Sequence, residues 1–188
     1  MAEEHGQVRD ERLDAEHEAR RRIAIAQIRQ WPDPVLRMHA NEVDVFDDEL
    51  RILTERMTEL MIDANGVGLA ANQVGVLRRL FVFRIGKEDT PYVAINPRIL
   101  EPSAERASDE EGCLSLQRVL VPVERHVSLT LEAEDALGEI FRMELSDLGA
   151  RVIQHELDHL DGVLILDRTT PEARREAMAT LRPQPVLG

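Results

Sequence analysis

Two histidines, His155 and His159, stand four positions apart in the stretch VIQHELDHLDG, Val152 to Gly162, with Glu156 beside the first. Residues i and i+4 of an α-helix project from one face, so both imidazoles can reach a single ion. A divalent ion held there would lower the pKa of a bound water toward neutrality, and the neighbouring carboxylate can move its protons. H-E-x-x-H on a helix is therefore a metallohydrolase pattern with a mechanism behind it. Such a site needs a third protein ligand and an open position. No histidine follows His159, and Ile165 stands where the three-histidine proteases carry their last ligand, which excludes that class. Two sources of a third ligand stay open: a downstream acid, Glu172 or Glu176, or the chain's one cysteine, Cys113, in the segment EEGCLS. One cysteine forms no internal disulfide, so its chemistry is ligation, catalysis or plain burial.

The elements that must position these groups can be read from the pattern. Ser146 or Asp147 can cap a helix that runs through Leu148, Val152, Leu157 and Leu160, with Gly162 to end it. A second helix is expected over Phe46 to Asn65, where Leu50, Leu53, Met57, Leu60, Met61 and Ala64 recur at spacings of three and four. The segment NGVGLAANQVG breaks it. Between the two helices, RRLFVFRI, YVAINPRIL, RVLVPV, HVSLTLEAED and EIFRMEL are short β-branched or alternating runs punctuated by turn residues, as expected of antiparallel strands. The run IAIAQIRQW, starting at Ile23, alternates like a strand, VLILDR reads as another, and Pro171 suits the first turn of a short C-terminal helix. The fold class is α+β, with antiparallel strands packed around a central helix that carries H-E-x-x-H. Residues 1–22 form a charged extension, disordered or loosely helical; residues 23–182 form one catalytic domain, and residues 183–188 a short tail.

Composition narrows the functions. At 188 residues the chain suits a single domain, and with 43% hydrophobic but 3% aromatic residues its core must be aliphatic. A net charge of −13 argues against stable nucleic-acid binding, which needs clustered basic residues. Apolar runs are too short to span a membrane, and the first residues lack a secretory pattern, so a cytoplasmic protein is expected.

Three segments occur in order: GVGLAANQ (Gly66 to Gln73), EGCLS (Glu111 to Ser115) and QHELDHLDG (Gln154 to Gly162). Together they closely resemble the peptide deformylase family, and lesser echoes, WPDPVLR and INP, extend the similarity over about Ile23 to Arg168. The resemblance implies that Cys113, His155 and His159 bind one divalent ion, commonly Fe(II), with Zn, Ni or Co able to occupy the site. Ligand softness alone favours zinc and does not settle the native metal. It further implies hydrolysis of the N-formyl group from the initiator methionine of nascent peptides, releasing formate, and a transient visit to the ribosome. Glu156 is then the acid/base, with the Gln73 amide and the Leu114 backbone N–H as oxyanion donors. Val67, Gly68, Gly112, Leu148 and Val152 are the implied substrate-binding residues.

Asp158 suits support of a ligand or of a neighbouring arginine. Arg118 corresponds to an arginine near the peptide end of the substrate, although CLSLQR lacks the usual short insertion, and Val123 stands where the family often has arginine. These departures touch peptide contacts and leave the metal chemistry intact. Two other functions compete: a metalloprotease liganded through Glu172 or Glu176, and a silent paralogue that binds processed N-termini. Arg168, Arg174, Arg175 and Arg182 are read as a solvated helix face rather than a ribosome-binding patch.

Overall fold

Helix α3, Asp147–Leu160, is where the layers meet: nine of its 14 residues are buried, and polar Gln154, Glu156, Asp158 and His159 are among them. A computed structural model describes residues 2–182, with side chains from residue 14 onward. The expected tail, 183–188, lies outside the described residues. Helix α1 spans Ala2–Ile25, α2 Asp48–Asp63, α4 Ile165–Arg168 and α5 Pro171–Leu181. The strands are β1 Gly68–Ala70, β2 Leu80–Phe83, β3 Tyr92–Leu100, β4 Arg106–Cys113, β5 Leu116–His126, β6 Ser128–Glu134 and β7 Ile140–Ser146. Five of them form an antiparallel sheet in the order β1-β2-β3-β6-β7, while β4 and β5 form a separate hairpin. The class is α+β with a central helix carrying the two histidines, as expected.

Apolar periodicity accounts for the layers. Helix α2 starts where the Asp47 carboxylate accepts the Leu50 N–H at 2.9 Å, and its Leu50, Met57, Leu60 and Met61 pack with Leu69, Leu80 and Val82. On the sheet's other side Phe81, Phe83, Leu131 and Leu145 meet Ala150, Val152, Ile153 and Leu160 of α3. A third cluster joins Val119, Val121 and Val123 of β5 to Ile165, Leu166 and Ala177. None of the described helices is long and apolar enough to cross a membrane.

Two local expectations require correction, and one strand, β4, carries no signature in the sequence. The run from Ile23 to Trp31 is the end of α1 and a turn, not a strand: Ala24 and Ile28, four apart, are buried, whereas Ile23 is 65% exposed. VLILDR closes into α4 because the Asp167 carboxylate accepts the Leu164 N–H at 2.9 Å, which satisfies the start of a helical turn. The polar strand β4 has no hydrophobic alternation and owes its conformation to its ladder with β5.

Helix α3 ends at Gly162, whose φ of +70° favours glycine, and a Cβ there would lie 2.5 Å from the Arg37 carbonyl oxygen. Gly162→Ala should therefore lower the unfolding free energy by about 2 kcal/mol. Thermal unfolding would read this as a fall of roughly 4–8 °C in Tm. An unchanged Tm would mean that the helix end relaxes freely.

Candidate metal centre and cavity

Helix α3 presents His155 and His159 from one face, and the end of β4 brings Cys113 to them. Cys113 Sγ lies 3.2 Å from His159 Nε2, which lies 3.2 Å from His155 Nε2. The three donor atoms fall within 4.8 Å of one another. Two imidazole nitrogens bound tetrahedrally at about 2.0–2.1 Å from an ion stand about 3.3 Å apart, so this triad fits a divalent metal. The donors also fit chemically: one thiolate and two imidazoles suit a borderline-soft ion. Glu172 and Glu176 lie on α5 and do not belong to the cluster, which leaves the Glu-liganded protease without its third ligand.

The imidazole of His155 is held from behind. Its Nδ1 lies 3.0 Å from a carboxylate oxygen of Glu111. Glu111 also accepts from Arg125 Nε and Nη2 at 2.9 and 3.0 Å and from Arg151 Nη1 at 2.8 Å. Burial alone would raise the Glu111 carboxyl, but hydrogen bonds from His155 and Arg125 hold it well below the usual carboxylate range. Burial opposes charge on His155, but hydrogen bonds to Cys113 and Glu111 raise it well above the usual imidazole range. An ionised acceptor at Nδ1 keeps a proton on that nitrogen, so a metal at Nε2 would displace the other one. At His159, burial and the adjacent His155 both oppose protonation, which favours the neutral, ligating form.

Glu156 receives the opposite treatment. One of its oxygens is buried without a partner, and burial pushes the carboxyl up to about 7, against the pull of His155. Gly68 makes room for it, since a Cβ there would lie 2.1 Å from Glu156 Oε1. Gln73 is pinned through its oxygen by the Ala70 N–H at 2.8 Å, which aims Nε2 at Ser115 Oγ, 3.0 Å away, and at Cys113 Sγ, 3.7 Å away.

A cavity of about 490 Å³ opens beside these groups, lined by Gln73, Cys113, His155 and Glu156. Leu114 lines it too, together with Val67, Gly68, Gly112, Leu148 and Val152, so all the residues proposed from sequence for substrate contact share one space. Val152 is buried and Leu148 half exposed.

The sequence model of the polypeptide deformylase family matches residues 25–175. The chain belongs to this family. Among curated relatives, peptide deformylase of Thermotoga sp. (strain RQ2) is 47% identical over 147 residues, 78% of this chain and 88% of that one. The Clostridium botulinum peptide deformylase is 48% identical over 148 residues, 79% of this chain and 99% of that one. The crystal structure of the Thermotoga maritima peptide deformylase superposes with a TM-score of 0.74 at 46% identity, covering 77% of this chain and 97% of that chain. Peptide deformylase 1B of Arabidopsis thaliana, in complex with an inhibitor, gives a TM-score of 0.77 at 38% identity, with 82% and 89% covered.

Against the deformylase pattern, the structure adds residues that sequence reasoning missed. Glu111 was legible only as part of a motif, because its contact with His155 spans 44 positions and has no periodic signature. Arg125 was also missed: it bridges Glu111 to Asp158, whose carboxylate it meets at 2.6 Å. Asp158 further accepts from Arg168 at 2.6 Å, so it supports arginines rather than a histidine directly. Val123 is fully buried in the core, and Arg125, two positions on and inward in the same strand, is the buried arginine of this segment.

Glu111→Gln keeps the shape of this acceptor but removes its charge. Metal affinity should fall about 10- to 100-fold, measured by chelator competition, with helix content retained in circular dichroism. Wild-type affinity would contradict the orienting role of Glu111.

Proposed function

We propose that this deformylase-family enzyme hydrolyses the N-formyl group from the formylmethionine of nascent peptides, using Cys113, His155 and His159 to hold one divalent metal ion. The observation that carries the reading is the convergence of these three donors beside a buried, under-partnered Glu156 at the wall of one cavity. When bound, a divalent ion there supplies Lewis acidity and makes water available as a nucleophile near neutral pH. Fe(II) is the proposed native ion, with Zn, Ni and Co as replacements.

In this reading Glu156 takes a proton from the attacking water and delivers it to the departing amine nitrogen. One C–O bond forms, the C–N bond of the formamide breaks, and formate and a free N-terminus leave. A carboxyl raised to about 7 by burial is suited to both transfers. Gln73 Nε2 and the Leu114 N–H donate to the oxygen on which negative charge develops. Val67, Leu148 and Val152 form the apolar surface for the methionine side chain, and Gly68 and Gly112 let the peptide approach the backbone.

The proposed organisation is an extension over residues 1–22, a catalytic domain over residues 23–182 and a tail over residues 183–188. The proposed location is the cytoplasm, where new chains emerge. Contact with the ribosome is then transient, because a chain of net charge −13 offers little for RNA to hold. Of the C-terminal arginines, Arg168 pairs with Asp158, Arg174 with Asp167 and Arg175 with Glu172, which supports reading them as a structural and solvated set.

Purified anaerobically, the protein should release formate from a formyl-Met tripeptide and lose this activity to a chelator, with recovery on metal return. Absence of formate with every one of these metals restored would overturn the reading. Glu156→Gln should retain the metal and lose at least about 100-fold in kcat, whereas Cys113→Ser should lose metal and activity together. Full turnover by Glu156→Gln would remove that residue from proton transfer.

A further inference from the structure

The wall of the catalytic cavity has a charge character opposite to that of the chain. Against a net charge of −13, Arg21, Lys87 and Arg118 all line this one space. Arg151, a fourth cation of the wall, is committed to Glu111, but those three make no ion pair among the described residues. Of the acids in the wall, Glu111 is neutralised by its arginines and Glu156 is buried at the reaction centre, which leaves Glu110 as the one exposed carboxylate. The cavity therefore presents three available positive charges against one negative.

Two features make this more than a chance cluster. Arg118 is held at φ 65°, a left-handed backbone conformation that a side chain-bearing residue adopts at a cost, in the hairpin where the β4-β5 register shifts. Arg21 comes from α1, outside the family match that begins at residue 25. The end of this helix is nevertheless tied to the domain: Ala24 and Ile28, just after Arg21, are buried in the core. Gln30 and Trp31 then bond to the carbonyls of Leu114 and Ser115 at 2.9 Å each, in the loop that lines the same cavity.

We propose that Arg21 is a specificity-determining residue: with Lys87 and Arg118 it selects formylated peptides that carry an acidic side chain soon after the formylated residue. The inference rests on the deformylase reading above. A peptide seated with its formyl group among Cys113, His155 and Glu156 runs its following residues past this cationic wall, where a carboxylate gains attraction and a lysine meets repulsion. A nucleic-acid phosphate is the less suitable anion, because the cations line a cavity and the surrounding chain is acidic.

The test compares C-terminally amidated formyl-Met-Ala-Glu and formyl-Met-Ala-Lys on the full chain at low ionic strength. The acidic peptide should have a kcat/KM about two- to fivefold higher, carried by KM, with the ratio shrinking as salt is added. Arg21→Glu should bring the ratio to one or below, and Arg21→Lys should keep it. Arg20→Glu, which makes the same change in net charge on an exposed neighbour outside the cavity, should leave the ratio at its wild-type value. A wild-type ratio of one, or a ratio that Arg21→Glu does not move, would overturn the proposal. So would weakened ribosome binding by Arg21→Glu with the peptide ratio intact, which would assign the residue to RNA. If no peptide releases formate, the deformylase reading fails by itself, and calorimetric affinities of the same peptides for the same variants still decide the charge preference.

Discussion

The buried Glu111 carboxylate is the contact on which the centre depends. It lies on the hairpin β4–β5, yet its partners reach across to α3: His155 and Arg151 from the helix, Arg125 from the hairpin itself. Losing one partner of such a buried pair leaves an uncompensated charge, at a cost of about 3–5 kcal/mol. The same carboxylate orients His155 through Nδ1, and Cys113, two residues further along the same strand, brings its thiol to 3.2 Å from His159 Nε2. Arg125 then extends the network through Asp158 to Arg168 at the end of α4, so the hairpin, α3 and α4 are tied by one continuous set of charges.

Within this frame the two glutamates are pushed in opposite directions. Glu111 is surrounded by donors and held ionised; Glu156 is buried with an oxygen lacking any partner and is raised toward neutrality. Environments that separate two carboxyl groups in this way support the proposed division of work, with Glu111 as a fixed charge and Glu156 as the proton carrier. Gly68 is part of the same arrangement, since any side chain there would occupy the space of the Glu156 carboxylate.

How much of this was legible in the sequence depended on the range of each interaction. His155, Glu156 and His159 are related by one helical turn, and that relation is visible as spacing. The cap at Asp47 and the apolar stripe of α2 are local in the same sense. Cys113 was reachable by counting ligands, although only the three-segment resemblance separated it from Glu172 and Glu176. Glu111, Arg125 and Arg151 were not legible as a network, because their pairing is set by how a polar hairpin docks on a helix and no periodicity encodes it. The misread segments were short apolar runs, where strand and helix patterns overlap. In Ile23–Trp31 the alternation of Ile23 and Ile25 masked the burial of Ala24 and Ile28 at helical spacing.

That misread segment matters more for catalysis than a strand there would have. The two donors proposed for the developing oxyanion come from separate parts of the chain, Gln73 after β1 and Leu114 between β4 and β5. Arg29 N–H bonds to the Gln73 carbonyl at 2.7 Å, Gln30 Nε2 to the Leu114 carbonyl at 2.9 Å, and Trp31 N–H to the Ser115 carbonyl at 2.9 Å. Gln73 Nε2 closes the circuit on Ser115 Oγ at 3.0 Å. Three consecutive residues therefore hold both donor segments in register, and errors of about 1 Å in such placement cost orders of magnitude in rate. A strand ladder would compete for the backbone N–H groups of Arg29 and Trp31. A turn leaves them free to clamp two loops at once, and the helix that feeds into the turn carries Arg21 to the cavity wall.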